Sequence, residues 1–322
     1  MSMPRKSLAA RVAAAAVLVS AAIIPVTSAS AVTWGANYFP NVPLTTQDGK
    51  TVHFFDDLLK GKKVVINFIY TKCGDSCPLE TARMAQVQRI LGARMGRDIF
   101  FYSFSIDPVR DTPAELKSYA QKFHTGPGWL FLTGKKADIE LIRRKLGQQA
   151  RAEDNELTDH STSLMIGNVD SGEWIKDSSL DNPQYIAAMI RDWLSDYSNQ
   201  GPVKSYTEAT PLPEYVSNTG AYLFQTRCAA CHTIGQGDSV GPDLLGVTKN
   251  RKREWLTNFI ALPNVMIAKK DPLAVSLYAR YNQLLMPNLR LNDVDLKNLL
   301  GFLEAQDALP RGQAKAEAPA AR

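Results

Sequence analysis

Residues Val64-Val65-Ile66-Asn67-Phe68-Ile69-Tyr70 form a nearly continuous apolar run between Lys62-Lys63 and Thr71-Lys72-Cys73. A strand that is apolar at successive positions is buried on both faces, so it belongs inside a sheet covered by helices on either side. The flanking text agrees. Asp48-Gly49 sits between Leu44-Thr45 and Thr51-Val52-His53-Phe54 as a hairpin signal. Leu79 to Leu91 has helical periodicity, and Ile99 to Ile106 reads as a second buried strand. Thr112-Pro113-Ala114-Glu115 is a capping box with proline at the first helical position, opening a helix to about Phe123. A short strand at Leu130–Thr133 and a helix over Lys136–Leu146 follow. Val169-Asp170-Ser171-Gly172 then joins Ser163–Asn168 to Trp174–Asp177 as a second hairpin, before a helix from Pro183 to Ser195. From the central strand onward the order is βαβαβαββα, which predicts a mixed sheet with helices on both faces.

The pattern changes after residue 198. Residues 199–213 hold three prolines and no apolar periodicity, and read as a linker. Beyond them there is no strand signal. Tyr215–Arg227, Arg253–Ala261, Pro272–Leu284 and Asn292–Ala305 are predicted helices, the last opened by Asn292 as N-cap with Asp293 and Asp295 in its first turn. A small all-α domain over 214–306 is expected, with 307–322, rich in Ala, Pro, Lys and Glu, as a disordered tail.

The first 31 residues read as an export signal. Arg5, Lys6 and Arg11 precede an apolar stretch from Val12 to about Val26, and Ala29-Ser30-Ala31 has the small-x-small pattern of a cleavage site. The stretch is about 15 residues, short of the ~20 that span a bilayer. Retained, it would tether the protein to the inner membrane; cleaved or not, the remainder is expected to be translocated and periplasmic. Loss of 1–31 removes three basic residues and no acidic one, taking the formal charge from +5 to +2. With no block of like charge and no basic–aromatic interleaving, nucleic-acid binding has no support.

All four cysteines fall in two motifs, Cys73-Gly74-Asp75-Ser76-Cys77-Pro78 and Cys228-Ala229-Ala230-Cys231-His232. CxxxC places two thiols where they can share a soft metal or oxidise to a disulfide, and a following helix N-terminus would favour thiolate. A structural disulfide closing so small a loop would gain little. CxxCH is the covalent haem c signature, with Cys228 and Cys231 as thioethers and His232 as the proximal iron ligand.

Phe68-Ile69-Tyr70-Thr71-Lys72-Cys73-Gly74-Asp75-Ser76-Cys77-Pro78, Ser105-Ile106-Asp107-Pro108-Val109-Arg110-Asp111-Thr112-Pro113 and Asp159-His160-Ser161 occur in that order. With them, the region from about Asn41 to Trp193 resembles the SCO/SenC family, thioredoxin-fold copper-binding proteins that help assemble the copper site of cytochrome c oxidase. The resemblance implies a thioredoxin-like α/β domain over 36–198 with copper held by Cys73, Cys77 and His160. His53 and His124 fall outside the family motifs and read as structural, and Asp75 as a solvated loop carboxylate. Residues from about Tyr215 to Ala305 resemble class I cytochromes c. In that family the Pro242 carbonyl of Gly241-Pro242-Asp243-Leu244 accepts from the proximal imidazole, and a methionine before the last helix is the distal ligand. Met286, before Pro287-Asn288-Leu289, fits that place better than Met266, which reads as part of a loop.

The expected cofactors are therefore copper and haem c. The expected partner is the copper-bearing subunit of cytochrome c oxidase or another respiratory redox protein. The function implied is copper-site assembly with haem electron transfer. The alternative is a thiol–disulfide oxidoreductase, with Cys73 and Cys77 as the catalytic redox pair, coupled to a cytochrome c carrier.

Overall fold

The computed structural model describes residues 34–35, 37–74, 76–148, 162–193 and 218–309. The expected leader, the linker over 199–213, Asp75 and His160 lie outside them. Seven strands form one sheet: β1 (Pro43–Thr46), β2 (Thr51–His53), β3 (Lys63–Ile69), β4 (Ile99–Ser105), β5 (Trp129–Thr133), β6 (Ser163–Asn168) and β7 (Glu173–Ser178). Their spatial order is β2-β1-β5-β4-β3-β6-β7. β3, β4 and β5 run parallel, while β1 and β6 join antiparallel on either side. The apolar run of β3 is thus near the centre of a mixed sheet.

Successive β3 side chains divide between two layers, as a two-sided strand requires. Val65 and Ile69 enter the layer built with α1 (Cys77–Leu91), α2 (Pro113–Lys122) and α4 (Pro183–Ala188). Val64, Ile66 and Phe68 enter the opposite layer with α3 (Lys136–Lys145) and a helical turn over Phe54–Leu59. That turn begins at Phe54, where the sequence pattern favours strand. Phe54 is fully buried against Phe39 and Phe104, so its packing overrides its strand propensity. The capping box at α2 forms as expected, with the Glu115 N–H donating to Thr112 Oγ1 at 3.3 Å. Both expected hairpins are present.

α1 is buried at twelve of its fifteen positions, including Glu80, Arg83 and Gln88. A helix buried nearly all round needs neighbours on every side. The sheet and α4 supply two of them. The third is the C-terminal helical region, whose Ala230 and Val240 pack into the same apolar cluster. The described residues from Trp34 to Leu309 belong to one compact unit. The two regions expected as separate domains are packed against each other.

The C-terminal region consists of α5 (Thr219–Leu223), continued by a π-helical turn to Cys228, then α6 (Val247–Asn250), α7 (Arg253–Ala261), α8 (Pro263–Ala268), α9 (Pro272–Arg280) and α10 (Asp293–Ala308). α9 ends at Arg280, short of the expected Leu284, because Asn282 and Gln283 adopt left-handed φ of 56° and 55°. The loop expected around Met266 is α8, with Pro263 in its first turn. α10 continues to Ala308, so the tail expected from residue 307 begins too early. Asp307 is buried; Gly246 N, Thr248 N and Thr248 Oγ1 donate to its carboxylate at 2.5, 2.8 and 2.6 Å. Those bonds tie the last turn of α10 to the start of α6.

α5 crosses α10 at Gly220. A Cβ there would lie 2.2 Å from the Asn298 carbonyl oxygen and 2.7 Å from Phe302 Cβ. Because one of these neighbours is backbone, the helices must separate to admit a methyl group. Gly220→Ala is expected to destabilise the C-terminal region by about 1–3 kcal/mol, measured by denaturation of the holoprotein followed at the haem absorption band.

Candidate metal and haem centres

Cys73 lies four residues beyond the end of β3, and Cys77 is the first residue of α1. Both are buried free thiols. The loop between strand and helix is fixed from beneath by Asp111. Its carboxylate accepts from Thr71 N at 3.1 Å, Thr71 Oγ1 at 2.5 Å and Ser105 Oγ at 2.6 Å. Ser105 Oγ in turn accepts from Asp107 N at 3.0 Å. The second family motif thus supports the cysteine loop, a role its spacing alone did not disclose. On the helix side, Thr81 Oγ1 donates to the Cys77 carbonyl at 2.8 Å and lies 3.0 Å from the Tyr119 hydroxyl.

Burial pushes the Cys77 thiol well above its ordinary value. The Cys73 thiol within hydrogen-bonding reach and the Glu80 carboxylate add to the shift. At Cys77 burial therefore works against the thiolate that a helix N-terminus favours. The thiol is enclosed, and the cost of desolvating a charge exceeds what the first helical turn returns. A soft cation can take the place of the protons, since thiolate is stabilised by the metal it binds. Among the described residues no group of three His, Cys, Asp or Glu is placed to hold a metal ion. The third expected ligand, His160, lies outside them. His53 and His124 are exposed, His53 beside Asp57.

The haem motif closes α5. His232 N and Cys231 N donate to the Cys228 carbonyl at 2.9 and 3.0 Å, winding the three residues into a tight turn. His232 Nδ1 lies 2.9 Å from the Pro242 carbonyl oxygen. A carbonyl only accepts, so Nδ1 carries the proton and Nε2 keeps a free lone pair for iron. Gly241 is needed beside it: a Cβ would fall 2.7 Å from His232 Cε1, and Gly241 N donates to the Cys231 carbonyl at 2.8 Å. Asp243 then anchors the loop, accepting from Gly235 N, Gly237 N and Leu245 N at 2.8, 2.6 and 2.9 Å. Burial holds both CxxCH thiols up at about 12 and pulls the His232 imidazole down, keeping it neutral as an iron ligand must be.

Two adjoining cavities share His232, Pro242, Phe259, Leu277 and Met286 in their walls. Met286 thus faces the same space as the proximal histidine. Met266 is in α8 and is not among the lining residues. The cradle at Gly241, the free Nε2 and the largely apolar walls fit a haem held by Cys228, Cys231, His232 and Met286.

One of the two cavities is also lined by Pro78, the residue after Cys77. Cys73 and Cys77 belong to one apolar cluster with Ala230 and Val240, and Cys231, Leu284 and Leu289 pack against it. Spacing could not show that the two cysteine motifs meet; the fold brings them together.

A thioredoxin-like sheet carrying a CxxxC pair beyond its central strand, joined to a helical CxxCH region, defines a dithiol domain fused to a cytochrome c. Residues 36–195 match the SCO1/SenC family model, and residues 217–307 match the cytochrome c model. The SCO1 protein homolog of Bacillus subtilis (strain 168) is 32% identical over 165 residues, 49% of this chain and 80% of that protein. The crystal structure of a SCO1/SenC family lipoprotein from Bacillus anthracis str. Ames is 30% identical, with a TM-score of 0.43, covering 50% of this chain and 95% of that one. Bradyrhizobium japonicum ScoI with copper bound is also 30% identical, with a TM-score of 0.39, covering 46% of this chain and 94% of that one. The chain belongs to the SCO1/SenC family, and its C-terminal part is a cytochrome c region.

Proposed function

We propose that this protein binds copper at Cys73, Cys77 and His160 for assembly of the copper site of a respiratory oxidase, and that its covalent haem c exchanges electrons at that site. Pro78 carries the reading: the residue next to a copper thiol is part of the haem-cavity wall. Two thiols and an imidazole suit Cu(I) and tolerate Cu(II). His232 and Met286 would hold the haem, which supplies a one-electron couple of raised potential. A disulfide exchanges two electrons and copper one, so copper is the better-matched neighbour. Thioredoxin-type dithiols also lie near about −270 mV, too low for such a haem to reduce their disulfide.

The N-terminal 31 residues favour translocation, so the periplasm is the proposed site of action, with an uncleaved leader as the membrane tether. Among the described residues no helix is long and apolar enough to cross a membrane. The proposed partner is the copper-bearing oxidase subunit or another respiratory redox protein.

Titration of the reduced holoprotein with Cu(I) against a competing chelator tests the reading. Cys73→Ala and His160→Ala are each expected to weaken binding at least tenfold, roughly 1.4 kcal/mol or more. Parent-like affinity in both variants rules out this site. The proximity of the two reduced thiols favours a second reading, dithiol oxidation coupled to the cytochrome. It requires turnover of a dithiol substrate without copper, abolished in Cys77→Ser.

A further inference from the structure

α1 carries Cys77 at its start and, two turns on, two polar side chains directed at the cytochrome region. Arg83 is buried, and its guanidinium donates from one terminal nitrogen to the Thr226 carbonyl at 2.5 Å. Its other terminal nitrogen donates to Gln86 Oε1 at 3.3 Å. Gln86 Nε2 donates to the Ala229 carbonyl at 3.0 Å. Thr226 and Ala229 flank Cys228 at the C-terminal end of the helical run Thr219–Cys228. Carbonyls at a helix C-terminus lack partners within the helix and carry its negative dipole end, so a cation and an amide are well-matched donors there. Burying a guanidinium is costly unless its charge is met by such acceptors.

The thiol loop makes a second contact. A Cβ on Gly74 would lie 3.3 Å from Leu285 Cδ2, in the residue before Met286. Leu284 and Leu289 pack against the cluster that holds Cys73 and Cys77. On the distal side Leu285 reaches the thiol loop, and on the proximal side Ala230 and Cys231 pack in the apolar cluster that holds both thiols.

We propose that Arg83 and Gln86 form a latch that docks the cytochrome region onto the thiol helix, so that Cys231 of the CxxCH motif and the CxxxC site belong to one closed unit. The surface on which the cytochrome sits is also the surface over the two thiols. A protein partner that takes metal from Cys73 and Cys77 must therefore displace the cytochrome, and the latch sets how readily that happens. The proposal rests on haem attachment at CxxCH and does not depend on electron exchange between haem and copper.

Paramagnetic NMR of the holoprotein tests it. Shifts between ferric and ferrous protein at the backbone amides of residues 77–91 report a nearby haem whether or not electrons pass. Alkylation of Cys73 in the reduced, copper-free holoprotein reports the cover. In the parent, the α1 amides are expected to shift and Cys73 to resist a maleimide. In the double variant Arg83→Ala with Gln86→Ala, the shifts collapse and alkylation speeds up by roughly tenfold or more, the scale of losing one charged and one neutral hydrogen bond. Arg83→Lys keeps a donor and is expected to fall between the two. The haem absorption spectrum stays parental in each, showing that the pocket is intact. Gln86→Ala alone, at a half-exposed position, gives the same test with a smaller change should the double variant fold poorly. Absence of α1 shifts in the parent overturns the docking, and parental shifts and alkylation in every variant overturn the latch. Docking without measurable copper–haem exchange would leave the latch standing and remove the electron-transfer part of the proposed function.

Discussion

Asp111→Ala is expected to destabilise the thioredoxin-like region by about 3–5 kcal/mol, since each buried donor left without an acceptor costs about 1–3 kcal/mol. The carboxylate is fully buried and accepts from three donors, Thr71 N, Thr71 Oγ1 and Ser105 Oγ. Those donors come from the last residue of β4 and from Thr71, two residues beyond the end of its parallel neighbour β3. The change therefore frees the start of the loop that delivers Cys73, and copper affinity should fall together with stability. Asp111→Asn separates the two effects. It keeps an acceptor for Thr71, and the Ser105 hydroxyl can rotate to accept from the new amide, so its cost should be about 1–2 kcal/mol. Urea unfolding followed by tryptophan fluorescence gives stability, and Cu(I) titration gives the site. A parental unfolding midpoint in Asp111→Ala would show that Asp111 does not support the loop.

The same residue sets a pH dependence. Burial raises the Asp111 carboxyl above its ordinary value, while the hydrogen bonds from Ser105 and Thr71 pull it back. The folded state thus holds this proton more tightly than the unfolded chain. The group's contribution is complete below the unfolded value of about 3.9 and is lost as pH rises through the higher folded value. Asp111→Asn should flatten that part of the stability profile, seen by repeating the urea series from acid to neutral pH.

Asp111 also shows what the sequence could and could not disclose. The apolar β3 run, the capping box at Thr112 and the Asp48-Gly49 turn are local signals, and the elements they predict formed within a residue or two. The CxxCH turn and the His232–Pro242 bond were legible because both partners lie within one short stretch. Asp111 was visible only as part of a motif, because its partners at Thr71 and Ser105 come together through strand pairing. Arg83 and Gln86 were hidden more completely. On a helix, a charged residue and an amide three positions apart ordinarily mark a solvated face. Here that face is covered by a segment more than 140 residues away. Phe54 and Met266 failed for the same reason: packing and a proline-led turn decided their conformations, and neither leaves a periodic trace.

Met286→Ala is expected to remove the thioether-to-ferric-iron absorption band and to lower the haem midpoint potential by on the order of 100 mV, part of the ~0.8 V range that axial ligation spans. The matching Met266→Ala should change neither. Met286 lines both cavities together with His232, whereas Met266 is in α8 and lines neither. Met286 is half-buried against the C-terminal core, so its truncation costs less than the about 2–5 kcal/mol of a fully enclosed methionine. The region should remain folded, with haem attached through Cys228 and Cys231. Reductive titration followed by absorption gives both readouts from one sample, and loss of the band in Met266→Ala would transfer the ligand assignment. The direction of the shift matters beyond the haem. His/Met ligation would place this couple above a thioredoxin-type dithiol. Lowering it should slow any transfer from the site beside Pro78 while leaving copper affinity at Cys73 and Cys77 unchanged. That separation distinguishes an electron-transfer role for the cytochrome from a purely structural cover, because a cover would be indifferent to the potential of the group it carries.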